Sequence, residues 1–250
     1  MLSSPDDEGM QRELSALARS LRNATLGSYE KLAEFSRKNA GNVWGARAAL
    51  ALGYDDYSKN HAPQALAWLT KAKGDALLNE YVLFWTAQTQ RVLKHNAEAL
   101  ANLEVMQREH PGSAMREQIL DVLVPAAIEA GKPQLAVEAI EAYPPTSAKP
   151  PLLLLRAEAY KAARQTARAA KDYQTLFYKY PLSDEAKAAA TALPSLTKTL
   201  GKEYPYPGVE LQEQRAQAFF DARKWKEARS EFEKLQGMLH EPENPHRQLA

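Results

Sequence analysis

Five alanines recur along the chain at intervals typical of a helical repeat. They stand 34, 37, 33 and 59 residues apart: Ala65, Ala99, Ala136, Ala169 and Ala228. Self-similarity at a period of roughly 20 to 50 residues is the signature of solenoid architectures, in which each unit stacks on the next. This periodicity constrains the fold more than any other feature of the sequence.

The positions around these alanines also repeat in type. Twelve residues earlier the side chain is small in four of five cases, with Val124 as the fifth: Gly53, Ala87, Ala157 and Ala216. Four residues after each alanine the side chain is bulky, and three residues further on it is apolar, ending with Phe232 and Leu235. Small residues that face each other let two antiparallel helices approach closely, while bulky ones fill the groove against the next pair. Pro111 and Pro181 then close two units, because proline cannot continue a helix.

The composition favours helices throughout. Alanine, leucine, glutamate, lysine, arginine and glutamine dominate, and valine or isoleucine seldom alternates with polar residues. Short helix-breaking segments stand at 59–61, 94–96, 130–133, 164–166 and 223–225. We therefore predict an all-α fold, a right-handed α-solenoid of about five or six degenerate helical hairpins.

The spacing also predicts a domain organisation. We expect a superhelical repeat region over 1–200, a connector rich in proline, tyrosine and glycine over 201–210, and a further hairpin over 211–250 that is truncated at its end. The 59-residue interval before Ala228 leaves room for an extra helix at 183–200. Ser4 and Pro5 are typical of a helix start, as are Asn244 and Pro245, so we expect more chain to follow.

Composition and missing motifs exclude several classes of protein. With 32 basic and 31 acidic residues, the chain lacks the strong positive charge of a nucleic-acid binder. It has no apolar run near the roughly 18 residues of a membrane span, and its start lacks the layout of a signal peptide. It has no cysteine for a disulfide or a thiol nucleophile. There is no glycine-rich phosphate loop or G-x-S-x-G turn. His240 and His246 flank two carboxylates, but intervening prolines forbid helical pairing, so we expect neither metal nor cofactor.

Two groups of residues are candidates for binding. Arg156, Arg164 and Arg168, with neighbouring lysines, could form a basic strip for carboxylates or an acidic partner, or a solvated face interleaved with acids. Tyr178, Tyr204 and Tyr206 could stack on sugar rings or on a peptide. We expect Trp68, Trp85 and Trp225 to lie in the core.

The segments "WGARAALALGYDDY", "EYVLFWTAQTQ" and "LFYKYPLSDEAKAAATAL" carry a family resemblance. The period near 34 resembles tetratricopeptide repeats, and the three segments together resemble the N-terminal superhelix of bacterial soluble lytic transglycosylases, over residues 25–240. In that family the superhelix precedes a lysozyme-like domain that cleaves peptidoglycan and uses a glutamate followed directly by serine.

No Glu-Ser dipeptide occurs here, so we expect this chain to be non-catalytic. The resemblance implies a periplasmic scaffold that positions its own catalytic domain or contacts murein. The alternative is a free-standing tetratricopeptide-type adaptor that binds a protein or peptide in the cell envelope.

Overall fold

The computed structural model describes residues 5–142 and 149–240, and every regular element in these ranges is a helix. This confirms the all-α prediction. The chain divides into two compact units, Met1–Ala130 and Gly131–Ala250. The division predicted at 200 and 210 stays a prediction, and the helix starts predicted at Ser4 and Asn244 lie outside the described residues.

The first unit contains seven helices in its described part. They are α1 (Pro5–Arg22), α2 (Ser28–Lys38), α3 (Val43–Ser58), α4 (Ala62–Lys71), α5 (Asn79–Val92), α6 (Asn96–Glu109) and α7 (Arg116–Glu129). Consecutive helices pack on one another, and α3 with α4 and α5 with α6 form hairpins. Asn42 begins α3, since its side-chain oxygen accepts hydrogen bonds from the backbone N–H groups of Trp44 and Gly45.

The second unit contains six α-helices and one short 3₁₀ turn in its described part. They are α8 (Pro133–Ala142), α9 (Pro150–Ala162), α10 (Thr166–Lys179), α11 (Glu185–Leu200), the 3₁₀ turn (Gly201–Glu203), α12 (Val209–Asp221) and α13 (Trp225–His240). Helix α9 pairs with α10, and α12 pairs with α13 and also contacts α10. The extra helix expected at 183–200 is α11, and an extended segment joins the 3₁₀ turn to α12.

The repeat alanines lie in the helix-to-helix contacts. Ala65, Ala99, Ala136 and Ala169 have no solvent exposure, and Ala228 is 2% exposed. At Gly53, a Cβ atom would lie only 2.7 Å from Cγ of Leu69 and 3.3 Å from the backbone oxygen of Ala65. Helices α3 and α4 are therefore packed so closely at Gly53 that a larger side chain has no room there.

Four hairpin turns share one backbone geometry that the sequence reasoning missed. Each contains a left-handed residue five positions before the repeat alanine: Asn60, Lys94, Arg164 and Arg223, with φ of 63°, 64°, 59° and 58°. In each turn the next residue donates its N–H to a carbonyl five positions back, over 2.8 to 2.9 Å. This is the Schellman helix ending, which usually takes glycine at the left-handed position. Here the hydrogen bonds and the packing impose it on arginine, lysine and asparagine.

The last hairpin departs from the predicted core. Trp225 is 55% exposed and packs edge-on against Phe220, with ring centroids 5.1 Å apart, so the prediction of a core position was wrong. Phe232, expected to fill a groove against a following pair, is 36% exposed. Among the described residues, α13 packs on α12 and buries Ala228 there, whereas Trp225 contacts the exposed Phe220 at the start of α13.

Candidate binding surfaces

The three tyrosines predicted as surface candidates come together in the second unit. Tyr178 at the end of α10 and Tyr204 and Tyr206 in the segment after the 3₁₀ turn line a groove of about 400 Å³. What we call the tyrosine groove is also lined by Phe177, Ala190, Leu193, Pro194, Thr197, Pro207, Gln212 and Met238. Tyr204 and Tyr206 pack edge-on with centroids 5.1 Å apart, and Tyr206 is 67% exposed.

Polar contacts fix the segment that carries two of these tyrosines. The buried Gln174 of α10 donates its amide Nε2 to the backbone oxygen of Pro205 at 2.5 Å, and Gln212 of α12 donates to that of Pro207 at 3.3 Å. Proline at 205 and 207 also restricts the backbone, because its ring locks φ. These contacts fix the backbone of the segment that carries Tyr204 and Tyr206.

Arg215 of α12 contacts Phe177, one of the residues that line the groove. Its guanidinium lies 3.8 Å from the ring centroid of Phe177 and donates from Nη1 to the backbone oxygen of Phe177 at 2.5 Å. Glu231 of α13 lies 3.4 Å from its Nε atom. Burial raises the pKa of the Tyr178 hydroxyl above its ordinary value. Like other tyrosine hydroxyls, it is a neutral hydrogen-bond donor at ordinary pH.

Two of the three candidate arginines are engaged inside the second unit. Arg156 makes a two-pronged contact with the buried Asp172, with Nε–Oδ2 and Nη2–Oδ1 distances of 2.7 Å, and these hydrogen bonds raise its pKa. Arg168 donates from Nη2 to Glu141 at 2.5 Å and lies over the ring of Tyr160. Arg164 is exposed at the left-handed position of the α9–α10 turn. A binding role for these arginines stays a prediction.

An aromatic surface that the sequence reasoning missed lies in the first unit. Tyr54 of α3 and Tyr81 of α5 are 49% and 45% exposed, and with Trp85, Leu50 and neighbouring residues they line a shallow groove of about 540 Å³. Tyr54 and Trp85 pack edge-on with centroids 4.7 Å apart. Trp85 was expected in the core, and the structure places it half-buried at this surface.

The described residues offer no metal or membrane-spanning feature. They contain no group of three or more histidine, aspartate or glutamate side chains placed to hold an ion. No helix within 5–142 and 149–240 is both long and apolar enough to cross a membrane. The segment from Glu241 to His246 lies outside the described residues.

Comparison with known proteins supports the repeat assignment. A tetratricopeptide-repeat family model matches residues 152–183, which form α9, α10 and the start of the next loop. The fold is similar to the crystal structure of a tetratricopeptide repeat protein from Parabacteroides merdae, with a TM-score of 0.59, 15% identity and 97% of each chain covered. A search among curated proteins gives no significant match.

These likenesses confirm the predicted class, an all-α solenoid of tetratricopeptide-like hairpins. Such repeats are typically non-catalytic and act as protein-interaction scaffolds, which supports the prediction that this chain is not an enzyme. No lytic transglycosylase appears among the matches described above, so that part of the expectation has no support from them.

Proposed function

We propose that this chain is a non-catalytic repeat scaffold that binds a peptide segment of a partner protein in the tyrosine groove. The observation that carries the proposal is the clustering of Tyr178, Tyr204 and Tyr206 on one concave surface, with Tyr206 67% exposed. Tyrosine is enriched at protein interfaces because it offers a large contact area and a hydroxyl with few rotatable bonds.

The chemistry of the groove favours an extended, proline-containing segment. Aromatic-lined grooves recognise such segments because the polyproline conformation is formed before binding and costs little entropy. Phe177 and the rings of Tyr204 and Tyr206 supply the aromatic walls, and a neutral tyrosine hydroxyl can donate to a peptide carbonyl. Gln174 and Gln212 hold the backbone of the segment that carries Tyr204 and Tyr206, so binding costs little conformational entropy in this segment.

A second candidate function rests on the resemblance to lytic transglycosylase superhelices. In that case the chain would be periplasmic and would position a catalytic domain or contact murein. The exposed tyrosine rings are compatible with this role, since aromatic faces also stack on sugar rings. The two candidates differ in ligand and can be separated with one set of variants.

The test begins with selection of peptides from a random phage-displayed library against the immobilised chain. We expect proline-containing peptides whose dissociation constant rises about tenfold or more in Tyr206→Ala, as for a central aromatic contact. Because Tyr206 is exposed, its truncation should leave the melting temperature unchanged. The control is Tyr81→Ala, which removes another exposed tyrosine, 45% accessible against 67% for Tyr206, from the first unit.

Two outcomes would argue against peptide binding in this groove. The first is a set of selected peptides that lose affinity equally in Tyr206→Ala and Tyr81→Ala. The second is sedimentation of the chain with purified murein sacculi that depends on Tyr206 while no peptide is selected, which would favour the murein role. We expect no release of muropeptides by this chain in either case.

A further inference from the structure

A second recess, of about 770 Å³, lies in the first unit between two interhelix turns. The turn from α2 to α3 forms one wall and the turn from α4 to α5 forms another. Its distinctive side chains are Arg37, Trp44, Trp68, Lys71 and Lys73, and we call it the basic pocket. Its volume falls within the range of roughly 300 to 1,000 Å³ that is usual for ligand sites.

Among the described residues, no carboxylate forms an ion pair within 4.0 Å of Lys71 or Lys73, and Arg37 interacts with Glu34 only at longer range. Two nearby acids are already paired with other cations: Glu34 lies 2.8 Å from Lys38, and Asp75 lies 2.6 Å from Arg47. The one acid that lines the recess, Asp7, accepts a hydrogen bond from the indole Nε1 of Trp44 at 3.3 Å. The pocket therefore carries a net positive charge.

Helix stability alone does not account for this arrangement. Arg37 and Lys71 stand in the last turns of α2 and α4, where a cation interacts favourably with the helix dipole. Lys73 lies beyond the end of α4, and the dipole effect falls off within the last turn. The half-buried indoles of Trp44 and Trp68 also line the recess. Arg47 lies 4.7 Å from the ring centroid of Trp44, and Nζ of Lys71 lies 4.7 Å from that of Trp68.

We infer that the basic pocket binds an acidic peptide segment that also carries an apolar side chain. Its carboxylates pair with Arg37, Lys71 and Lys73, and its apolar side chain packs against the indoles. Gly41 and Gly74 line the recess with positive φ, and no atom lies within 4 Å of the position that a Cβ would take at either residue. A peptide backbone can therefore approach both turns closely.

The shape of the pocket favours a peptide over other polyanions. Nucleic acid and anionic membranes are recognised by an extended basic face, and the whole chain has a net charge of only +1. A recess with three cations around two aromatic rings instead suits a short segment with a few carboxylates. This site is separate from the tyrosine groove in its residues and in the charge of its ligand.

The first experiment measures binding of a fluorescein-labelled hexapeptide of four glutamates and two leucines, by fluorescence anisotropy at low salt. We expect Lys71→Gln and Lys73→Gln each to raise the dissociation constant about two- to fivefold, the change that the loss of one solvent-exposed ion pair produces. Lys226→Gln, at an exposed position of α13, is the matched control and should change nothing. A hexapeptide with glutamines in place of the glutamates should bind much more weakly.

The second experiment locates the peptide with the four tryptophans of the chain. In ¹H–¹⁵N spectra, assigned through Trp→Phe variants, the indole signals of Trp44 and Trp68 should shift on titration, while those of Trp85 and Trp225 should not. Equal affinity for a lysine-containing hexapeptide, or shifts confined to Trp85 or Trp225, would overturn the proposal. Failure of the hexapeptide to bind at millimolar concentration would do the same.

Two further measurements distinguish this proposal from peptide binding at the tyrosine groove and from binding to an anionic membrane. Tyr206→Ala should leave hexapeptide binding unchanged, so failure at the basic pocket is distinguishable from failure at the tyrosine groove. Vesicles that contain phosphatidylserine should not compete with the hexapeptide. If the vesicles do compete, and Lys71→Gln abolishes this competition, the ligand of the basic pocket would be an anionic membrane surface and not a peptide.

Discussion

Replacement of Gly53 by alanine tests the close helix contact on which the repeat depends. The new Cβ would lie 2.7 Å from Cγ and 2.9 Å from Cδ2 of Leu69, whose side chain has no exposure and cannot turn towards solvent. Overpacking of this kind costs about 1 to 3 kcal/mol. The greater helix propensity of alanine offsets about 1 kcal/mol of it. We expect Gly53→Ala to lower the free energy of unfolding by up to about 2 kcal/mol.

The matched control is Gly9→Ala in α1, an exposed position with no atom within 4 Å of a Cβ. There only the propensity acts, so the variant should be more stable by up to about 1 kcal/mol. Urea unfolding followed by circular dichroism measures both changes. Addition of Leu69→Ala should couple to Gly53→Ala by more than about 0.5 kcal/mol, since the two side chains compete for one space. Equal stability of Gly53→Ala and Gly9→Ala would refute the close-contact argument.

Three further predictions concern the ion pair, the turns and the pH dependence. Arg156→Ala should lower the free energy of unfolding by about 2 to 4 kcal/mol, because it leaves the carboxylate of Asp172 buried and unpaired. Urea unfolding measures this change, and a loss below about 0.5 kcal/mol would contradict the prediction. Arg164→Gly should raise the melting temperature, since a non-glycine residue in the left-handed region costs about 1 kcal/mol; calorimetry measures the change, and a decrease would be the contrary result. Burial, together with a hydrogen bond to Asp56, raises the pKa of Tyr29 from 10.0 to about 12. The folded state thus holds this proton more tightly, so the contribution to stability is complete below pH 10 and disappears as the pH rises towards 12. Tyr29→Phe should make the fall of melting temperature above pH 10 smaller without abolishing it, because burial also raises the pKa of Tyr173 to about 12. An unchanged fall in Tyr29→Phe would contradict the assignment.

Repeat spacing predicted the helices well because it reports directly on packing. The alanine columns located the hairpins, and the 59-residue interval before Ala228 indicated the extra helix that became α11. The left-handed residues were not predictable in the same way. Lys94 and Arg164 have no intrinsic preference for that conformation, and only the hydrogen bonds of the finished turn show why they adopt it.

Features that depend on the neighbours of a residue were harder to predict. Trp225 looks like a core residue by type, but the ring it packs against, Phe220, is itself 49% exposed. The pairing of Arg156 with Asp172 joins two helices across a hairpin, and spacing in sequence does not reveal which carboxylate an arginine will face. The tyrosines were picked out as surface candidates, but their grouping depends on the path of the segment after α11.

Hydrogen–deuterium exchange of the chain with and without a selected peptide tests the central claim most directly, because it maps binding without any substitution. We predict slower exchange confined to the segments that line the tyrosine groove, which are 174–180 of α10, 190–197 of α11, 201–212 and the end of α13. Protection elsewhere in the chain, or none at saturating peptide, would contradict recognition by the tyrosine groove.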